Sequence, residues 1–414
     1  MIFFVVLFKL KMLILMKKII ISICLFTLIS KGVSAQNDKT VLAFSKSIEL
    51  EKKQDYTGAI ESITKLNDST SYDVNVRLGW LYYKAGYKKL SLAHYEKAIN
   101  LSPKAIEPRY GFGFPAYALE EYNGLIAQDK KILELDPNNR TINGNLGALY
   151  YYNKDYKNAL PYLEKVVSMY PFDYDNNLLL GWTYFKLGKN ENAEQSFNTV
   201  LYYSPKDASA IEGLTYLKRT NTDNKTLVAL TKSYEFYSKS DYKNATLCLK
   251  EVYEKASYVL NLRLGWLHYT QGQYLEAISY YKIACELKPN SIEAKIGLAD
   301  ACDAMGNKNE SKSTYESILS IDPKNTYTHY RLGVLEYEKK NYQNADLHFN
   351  TVLELYPCDS DCLLMLGWTR LQMGKTTEAN AYFNKVLCFS PNNNSAIQGL
   401  NTKPASQVKK TSGL

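Results

Sequence analysis

Catalytic motifs are what this sequence most clearly lacks. Its four histidines are scattered along the chain, and none forms a His-Glu-x-x-His pair of metal ligands. The chain also has no glycine-rich phosphate loop and no Gly-x-Ser-x-Gly nucleophile turn. These absences argue against the common metallohydrolase, nucleotide-binding and serine hydrolase classes. We therefore predict a protein that is not an enzyme and that uses no cofactor and no metal.

Cysteine is missing from the first half of the chain after Cys24. The other six cysteines all lie in the second half: Cys248, Cys285, Cys302, Cys358, Cys362 and Cys388. Cys358 and Cys362 are four residues apart, but no second Cys/His pair lies nearby to complete a metal site. We predict small packed or half-exposed residues, and a local disulfide in an oxidising compartment is the alternative.

The body of the chain has almost no net charge. The formal net charge of +8 falls to +3 without residues 1–35, which carry five lysines and no acidic residue. Three further lysines account for the remaining excess in residues 402–414, which we predict to be a basic, flexible tail. The intervening sequence is near neutral and lacks the basic surface that nucleic-acid binding requires.

Long apolar runs are confined to the first 35 residues. Lys17 and Lys18 precede an apolar run at 19–29, and Val33-Ser34-Ala35 supplies small residues before Gln36. This succession is typical of a secretory signal. We predict that 1–35 is a signal peptide, with Met16 as the candidate true start, and that the protein is exported to the periplasm or cell envelope. The alternative is an uncleaved signal that anchors the chain in the inner membrane.

A short phrase recurs through the rest of the sequence. Arg-Leu-Gly-Trp-Leu occurs at 77–81 and 263–267, and Leu-Gly-Trp recurs at 180–182 and 366–368. In most copies a small residue follows the Gly by 12 positions and an aromatic ring by 16. Prolines occur every 34 residues in two sets of four: Pro103, Pro137, Pro171 and Pro205, then Pro289, Pro323, Pro357 and Pro391. A 34-residue period indicates helix-turn-helix repeats.

The repeated positions explain how two helices would pack. The Leu and Gly of a first helix face the small residue and ring of a second, so the helices approach closely. Each proline ends a second helix and starts the next unit. Because neither helix buries its apolar face alone, the units must stack.

This pattern resembles the tetratricopeptide repeat over about residues 39–401. The one departure is that each Trp follows the small packing residue, where the family places a Trp four positions before it. The resemblance implies an all-α fold: a right-handed α-solenoid of about ten helix-turn-helix repeats.

The repeats form two duplicated arrays. Residues 39–214 match residues 186 positions later without a gap, for example Trp80 with Trp266 and Pro137 with Pro323. Each array has five repeats and a short closing helix. We predict that array 1 (36–220) and array 2 (221–401) fold as independent units, joined at a polar break.

The resemblance also implies a concave face lined by the first helices. The candidate partner-binding residues on it are seven aromatic and two basic side chains: Trp80, Tyr83, Trp182, Phe185, Trp266, Tyr269, Trp368, Arg77 and Arg263. The Lys/Asn/Arg set with which the best-known peptide-binding variant clamps a carboxylate is not found. We therefore expect an aromatic groove in which the arginines anchor an acidic group. The alternative is that the tryptophans pack against the preceding repeat.

Exposed aromatic area usually marks an interaction site. We predict a non-catalytic scaffold of the cell envelope that binds a peptide segment or protein surface in this groove. The alternative is a glycan-binding module that uses the same Trp and Tyr faces. We expect no nucleic-acid partner, and membrane contact only through an uncleaved signal.

Overall fold

The computed structural model describes residues 39–66, 68–219 and 225–402. The predicted signal peptide, the polar break and nearly all of the basic tail lie outside the described residues. Within them the chain forms helices and no strand. The helices are α1 (Lys39–Lys52), α2 (Tyr56–Thr64), α3 (Tyr72–Lys84), α4 (Lys88–Leu101), α5 (Glu107–Ala118), α6 (Tyr122–Leu135), α7 (Arg140–Tyr152), α8 (Tyr156–Met169), α9 (Tyr174–Lys186), α10 (Asn190–Tyr203), α11 (Ala208–Tyr216), α12 (Lys225–Ser238), α13 (Tyr242–Lys250), α14 (Tyr258–Thr270), α15 (Tyr274–Leu287), α16 (Ile292–Ala304), α17 (Lys308–Leu319), α18 (Thr326–Glu338), α19 (Tyr342–Leu355), α20 (Ser360–Gln372), α21 (Thr376–Phe389) and α22 (Asn394–Asn401).

These helices confirm the predicted all-α repeat fold. From α1 to α10 and from α12 to α21 they alternate as the first and second helices of the repeats, while α11 and α22 are the closing helices. Most starts carry a polar N-cap: Asp55, Asp155 and Asp241, for example, each accept a hydrogen bond from the backbone N–H three residues on. Local sequence therefore sets the helix boundaries.

The repeated Gly and ring form one packing unit. Tyr281 of α15 lies between Gly265 of α14 and Gly297 of α16, where an added Cβ would meet the ring at 2.9 and 2.4 Å. Tyr95, Phe197 and Phe383 lie between glycine pairs in the same way. The predicted close approach of first and second helices is thus extended to the next first helix, because each ring contacts both.

The helices form two compact units that do not follow the two arrays. Among the described residues, unit 1 contains those up to Glu120 and those from Glu336 onwards, and unit 2 contains those from Glu121 to Leu335. Each unit therefore includes helices from both arrays, and the predicted boundary near residue 220 falls inside unit 2. The independent folding of the arrays stays a prediction.

In unit 1, α1 of array 1 packs against α21 of array 2. Phe44 is fully buried and meets Phe389 edge to face, with 5.8 Å between ring centroids. The carboxylate of Glu107 accepts hydrogen bonds from the Cys358 backbone N–H and the Tyr72 hydroxyl, both at 3.1 Å. Burial raises the pKa of Glu107 to about 7. The first and last described repeats thus share one core.

In unit 2, Glu293 makes the equivalent contact. Its carboxylate accepts from the Phe172 backbone N–H at 2.8 Å and from the Tyr258 hydroxyl at 2.7 Å. Glu293 and Phe172 are the duplication counterparts of Glu107 and Cys358. The same pair of positions therefore joins the arrays in each unit. In unit 1 array 1 supplies the glutamate and array 2 the backbone N–H, and in unit 2 array 2 supplies the glutamate and array 1 the N–H.

The six cysteines of the second half are free thiols in the structure. Cys248, Cys302, Cys362 and Cys388 are buried, and Cys285 and Cys358 are half-buried. They are packed or half-buried side chains, as predicted, and the thiol of Cys358 donates to Asp73 Oδ1 at 3.4 Å. None of the described helices is long and apolar enough to cross a membrane.

Candidate partner-binding surface

The four tryptophans fall into two pairs related by the duplication. The indole N–H of Trp182 donates to Ser209 Oγ at 2.8 Å, and that of Trp368 donates to Ser395 Oγ at 2.9 Å. Both serines lie on closing helices, α11 and α22. Each indole also meets a buried phenylalanine edge to face, Phe197 at 5.1 Å and Phe383 at 5.3 Å. Trp182 and Trp368 therefore fasten the closing helices to the preceding repeat.

Phe185 extends the Trp182 cluster to the surface. Its ring lies 5.7 Å from Trp182 and stacks on Tyr216 at 5.9 Å. Tyr216, at the end of α11, is 59% exposed. The predicted groove residues Trp182 and Phe185 are thus partly covered by the closing helix.

In unit 1, Trp80, Tyr83 and Arg77 lie together on α3. The indole N–H of Trp80 donates to Glu51 Oε1 at 2.7 Å, and Arg77 Nη1 pairs with Glu51 Oε2 at 2.6 Å. Trp80 and Tyr83 both contact the ring of Phe114. The Arg77 side chain is only 11% exposed, so Glu51 already holds the cation that was expected to face a partner.

In unit 2, Trp266 and Tyr269 lie on α14. Their rings stack at 6.3 Å, and Trp266 is 42% exposed. Within the described residues the Trp266 indole N–H has no hydrogen-bond acceptor. At the Phe114 position this array has Asp300, which accepts a hydrogen bond from Tyr327 at 2.8 Å. Trp266 is therefore the one predicted groove tryptophan that is exposed, among the residues that the structure describes.

Arg263 lies one turn before Trp266 on the same helix. Its guanidinium carbon is 4.2 Å from the ring centre of Tyr234 and 4.8 Å from that of Tyr237. Its Nε and Nη2 are buried and make no hydrogen bond in the described structure, and neither does the buried hydroxyl of Ser233. Burial lowers the pKa of Arg263. The rings stabilise the cation by cation–π contact but supply no acceptor.

The histidine of this helix belongs to the core. His268 is 4% exposed, stacks on Tyr280 at 5.3 Å, and its Nδ1 is 2.6 Å from Gln273 Oε1. Burial lowers its pKa, so the neutral ring is favoured. No group of three metal-binding side chains occurs in the parts of the chain described.

The structure gathers the predicted site residues into separate local groups. Trp80, Tyr83 and Arg77 form one group, Trp182 and Phe185 a second, and Arg263, Trp266 and Tyr269 a third, while Trp368 packs at its closing helix. Sequence reasoning missed Glu51 and Tyr237, which decide whether the neighbouring arginine is paired. The sequence did carry a signal for them, because these two positions match in the duplication but hold an acidic residue in array 1 and a tyrosine in array 2.

Comparison with known proteins gives relatives of this chain. It is 25% identical over 285 residues to the BBSome complex member BBS4 of Bos taurus, covering 63% of this chain and 53% of the relative. It is 30% identical over 138 residues to the type IV pilus assembly protein PilF of Pseudomonas aeruginosa, covering 32% and 53%. The chain thus spans about half the length of these curated relatives.

Solved structures and family models also resemble this chain. The solved structure of MamA from Desulfovibrio magneticus RS-1 shows 17% identity and a TM-score of 0.38, over 41% of this chain and 97% of that one. Models described as tetratricopeptide repeat match residues 72–104, 150–215, 230–292, 268–332, 327–357 and 361–387. These segments cover more than half of the chain and coincide with the repeats seen in the helices. With repeat period, helical packing and family models in agreement, this chain belongs to the tetratricopeptide repeat family.

Proposed function

We propose that this protein is a non-catalytic scaffold that binds a segment of a partner protein on the surface formed by Arg263, Trp266 and Tyr269. The observation that carries the proposal is the exposure of Trp266, at 42%, beside a stacked tyrosine and an arginine without an acidic partner in the described structure. Tryptophan, tyrosine and arginine are the residues most enriched at binding hot spots. We call these three residues the α14 surface.

The relatives support a scaffolding role. Two of them are named for assemblies, the BBSome complex and the type IV pilus, and a repeat fold presents extended surfaces of this kind. The Trp80 group is less suited to binding, because Glu51 occupies both its indole N–H and its arginine. Trp182 and Trp368 are similarly engaged by serines of the closing helices.

We also propose that the protein acts in the cell envelope after export. The basic, apolar and small-residue succession at 17–35 supports this assignment. N-terminal sequencing of the protein from its native host tests it, and a mature chain beginning at Gln36 is expected. Recovery of a membrane-bound chain that begins at Met1 or Met16 would contradict cleavage and soluble export.

Selective loss of a partner tests the α14 surface. Envelope proteins retained by the mature chain would be identified by mass spectrometry, and the affinity of a purified partner measured for Trp266→Ala and Leu275→Ala. Leu275 is 67% exposed on the neighbouring α15 and serves as the matched apolar control. We expect Trp266→Ala to weaken binding by about 2 kcal/mol, roughly thirtyfold, and Leu275→Ala to have little effect.

Two outcomes would overturn the proposal. Equal binding by both variants would place the partner elsewhere. Retention of a polysaccharide from a panel, lost on Trp266→Ala, would instead support the glycan-binding alternative, because an exposed indole face also stacks on sugars.

A further inference from the structure

The duplication provides an internal comparison for Arg263. Its counterpart in array 1 is Arg77, and the indole that follows, Trp266, corresponds to Trp80. In array 1 the Glu51 carboxylate bridges these two groups, with Oε2 on Arg77 Nη1 at 2.6 Å and Oε1 on Trp80 Nε1 at 2.7 Å. In array 2 the position of Glu51 is occupied by Tyr237.

The missing carboxylate explains why Arg263 and Trp266 of array 2 lack the acceptor that their counterparts have. Arg263 forms no ion pair within the described residues, although two of its nitrogens are buried. The third, Nη1, is outside that buried set and corresponds to the nitrogen that binds Glu51 in array 1. The Trp266 indole has no acceptor in the described structure and is 42% exposed. One change, from Glu to Tyr, therefore removes from array 2 the acceptor that the two equivalent donors share in array 1.

Physical chemistry favours an external acid at that position. A guanidinium that is removed from water without a counter-ion is destabilised, and the flanking rings of Tyr234 and Tyr237 offset only part of this cost. A carboxylate that binds both donors would form charge-assisted hydrogen bonds, which are stronger than neutral ones. Because Tyr237 has replaced the internal acid, no described carboxylate pairs with Arg263.

We propose that Arg263 Nη1 and the Trp266 indole N–H together bind a carboxylate of a partner peptide, one oxygen on each donor. The carboxylate is that of an Asp or Glu side chain or of a peptide C-terminus. The assignment to a peptide rests on the proposed function, whereas the carboxylate site itself depends only on the two donors. The site corresponds to the one that Glu51 occupies in array 1, and the ring of Tyr237 lies beside it, 4.8 Å from the guanidinium carbon.

Nuclear magnetic resonance of the mature chain labelled with ¹⁵N-arginine tests the site without a partner. Acetyl-glutamate methylamide presents a side-chain carboxylate, acetyl-alanine presents a C-terminal one, and acetyl-glutamine methylamide is the neutral control. We expect the Nε–Hε signal of Arg263, assigned with Arg263→Lys, to shift saturably with one or both acids and not with the amide. The Arg77 signal should stay fixed because Glu51 already occupies that site.

Reciprocal substitutions make the test specific. Tyr237→Glu restores the internal acid and should abolish the response of Arg263. Glu51→Tyr removes the acid from array 1 and should give Arg77 the same saturable response. Trp266→Phe keeps the ring but removes the indole donor, so the affinity for the acid should fall about tenfold, the size of one charge-assisted hydrogen bond.

Three results would overturn the proposal. They are no saturable shift of Arg263, an unchanged response in Tyr237→Glu, or tighter binding of inorganic phosphate than of either carboxylate. A positive carboxylate response with no loss of partner on Trp266→Ala would keep the anion site and reject the proposed function, so the two failures are distinguishable.

Discussion

Trp182 and Trp266 occupy the same position in their helices but have different surroundings. Trp182 contacts Phe185, Phe197 and Tyr216 and bonds to Ser209, whereas Trp266 contacts Tyr269 and remains 42% exposed. Sequence position alone therefore does not assign a function to a repeated tryptophan. The neighbouring helix decides whether the ring is structural or available to a partner.

This difference predicts separate effects on stability. Trp182→Ala should lower the free energy of unfolding by about 3 kcal/mol, because it removes ring contacts and frees the closing helix. Trp266→Ala should lower the free energy of unfolding by no more than about 1 kcal/mol, since the residue is 42% exposed and packs against fewer rings. Urea unfolding followed by circular dichroism measures both, and equal losses would contradict the division into structural and exposed tryptophans.

At the scale of the helices, the ring between two glycines sets the spacing of three consecutive elements. Tyr281 touches Gly265 of α14 and Gly297 of α16 so closely that a methyl group at either position would overlap the ring. In α7 and α8 the same role is taken by Gly147 and the smaller Leu163. The spacing thus depends on the pair of residues and not on the helix backbone alone.

Overpacking at this contact should destabilise α16. Gly297→Ala places a Cβ 2.4 Å from the Tyr281 ring, and we expect a loss of about 2 to 3 kcal/mol despite the better helix propensity of Ala. The double variant Gly297→Ala with Tyr281→Leu should be less destabilised than the sum of the single changes, because the smaller side chain relieves the overlap. Thermal melting of the four proteins measures this coupling, and simple additivity would show that the ring does not set the spacing.

At the scale of the whole molecule, buried carboxyls link stability to pH. Burial raises the pKa of Glu107 to about 7, and it raises those of Asp129 and Asp136 to about 7 and about 6. Unfolded carboxyls titrate near 4, so the folded protein binds additional protons between about pH 4 and pH 7. Stability contributed by these groups is therefore present at low pH and is lost as the pH rises towards 7.

Glu107→Gln should reduce this pH dependence. The amide keeps an acceptor for the Cys358 N–H but does not ionise. The free energy of unfolding at pH 8 should therefore be higher than that of the wild type by roughly 1 to 3 kcal/mol. At pH 4.5 the two proteins should differ much less. Melting curves from pH 4.5 to 8, with exposed Glu61→Gln as control, measure the effect, and parallel profiles for wild type and Glu107→Gln would contradict it.

Separate expression tests the predicted independence of the arrays. Residues 36–220 and 221–414 should each give a helical circular dichroism spectrum, because each array carries five repeats and a closing helix. Each should melt below the intact chain, since contacts such as Phe44 with Phe389 in unit 1 join the two arrays. If either array is unfolded alone while the full chain melts cooperatively, the arrays are not independent.

The sequence by itself determined the local structure, because period, N-caps and prolines act within about 34 residues. It predicted the helix order, the helix pairing through Gly79 and its equivalents, and the closing helices. Only the tertiary structure decided which helices of different arrays share a core, as Glu107 with Cys358 does, since such contacts leave no periodic signal.

For the candidate site, too, the sequence determined some features and the tertiary structure decided others. Trp266 and Arg263 were identifiable from their repeated phrase. Their availability depended on residue 237, 26 positions before Arg263, and on packing that buries two guanidinium nitrogens without an acceptor. A repeat pattern gives a side chain its place on a helix, whereas its exposure and hydrogen bonding are set by whichever element packs beside it.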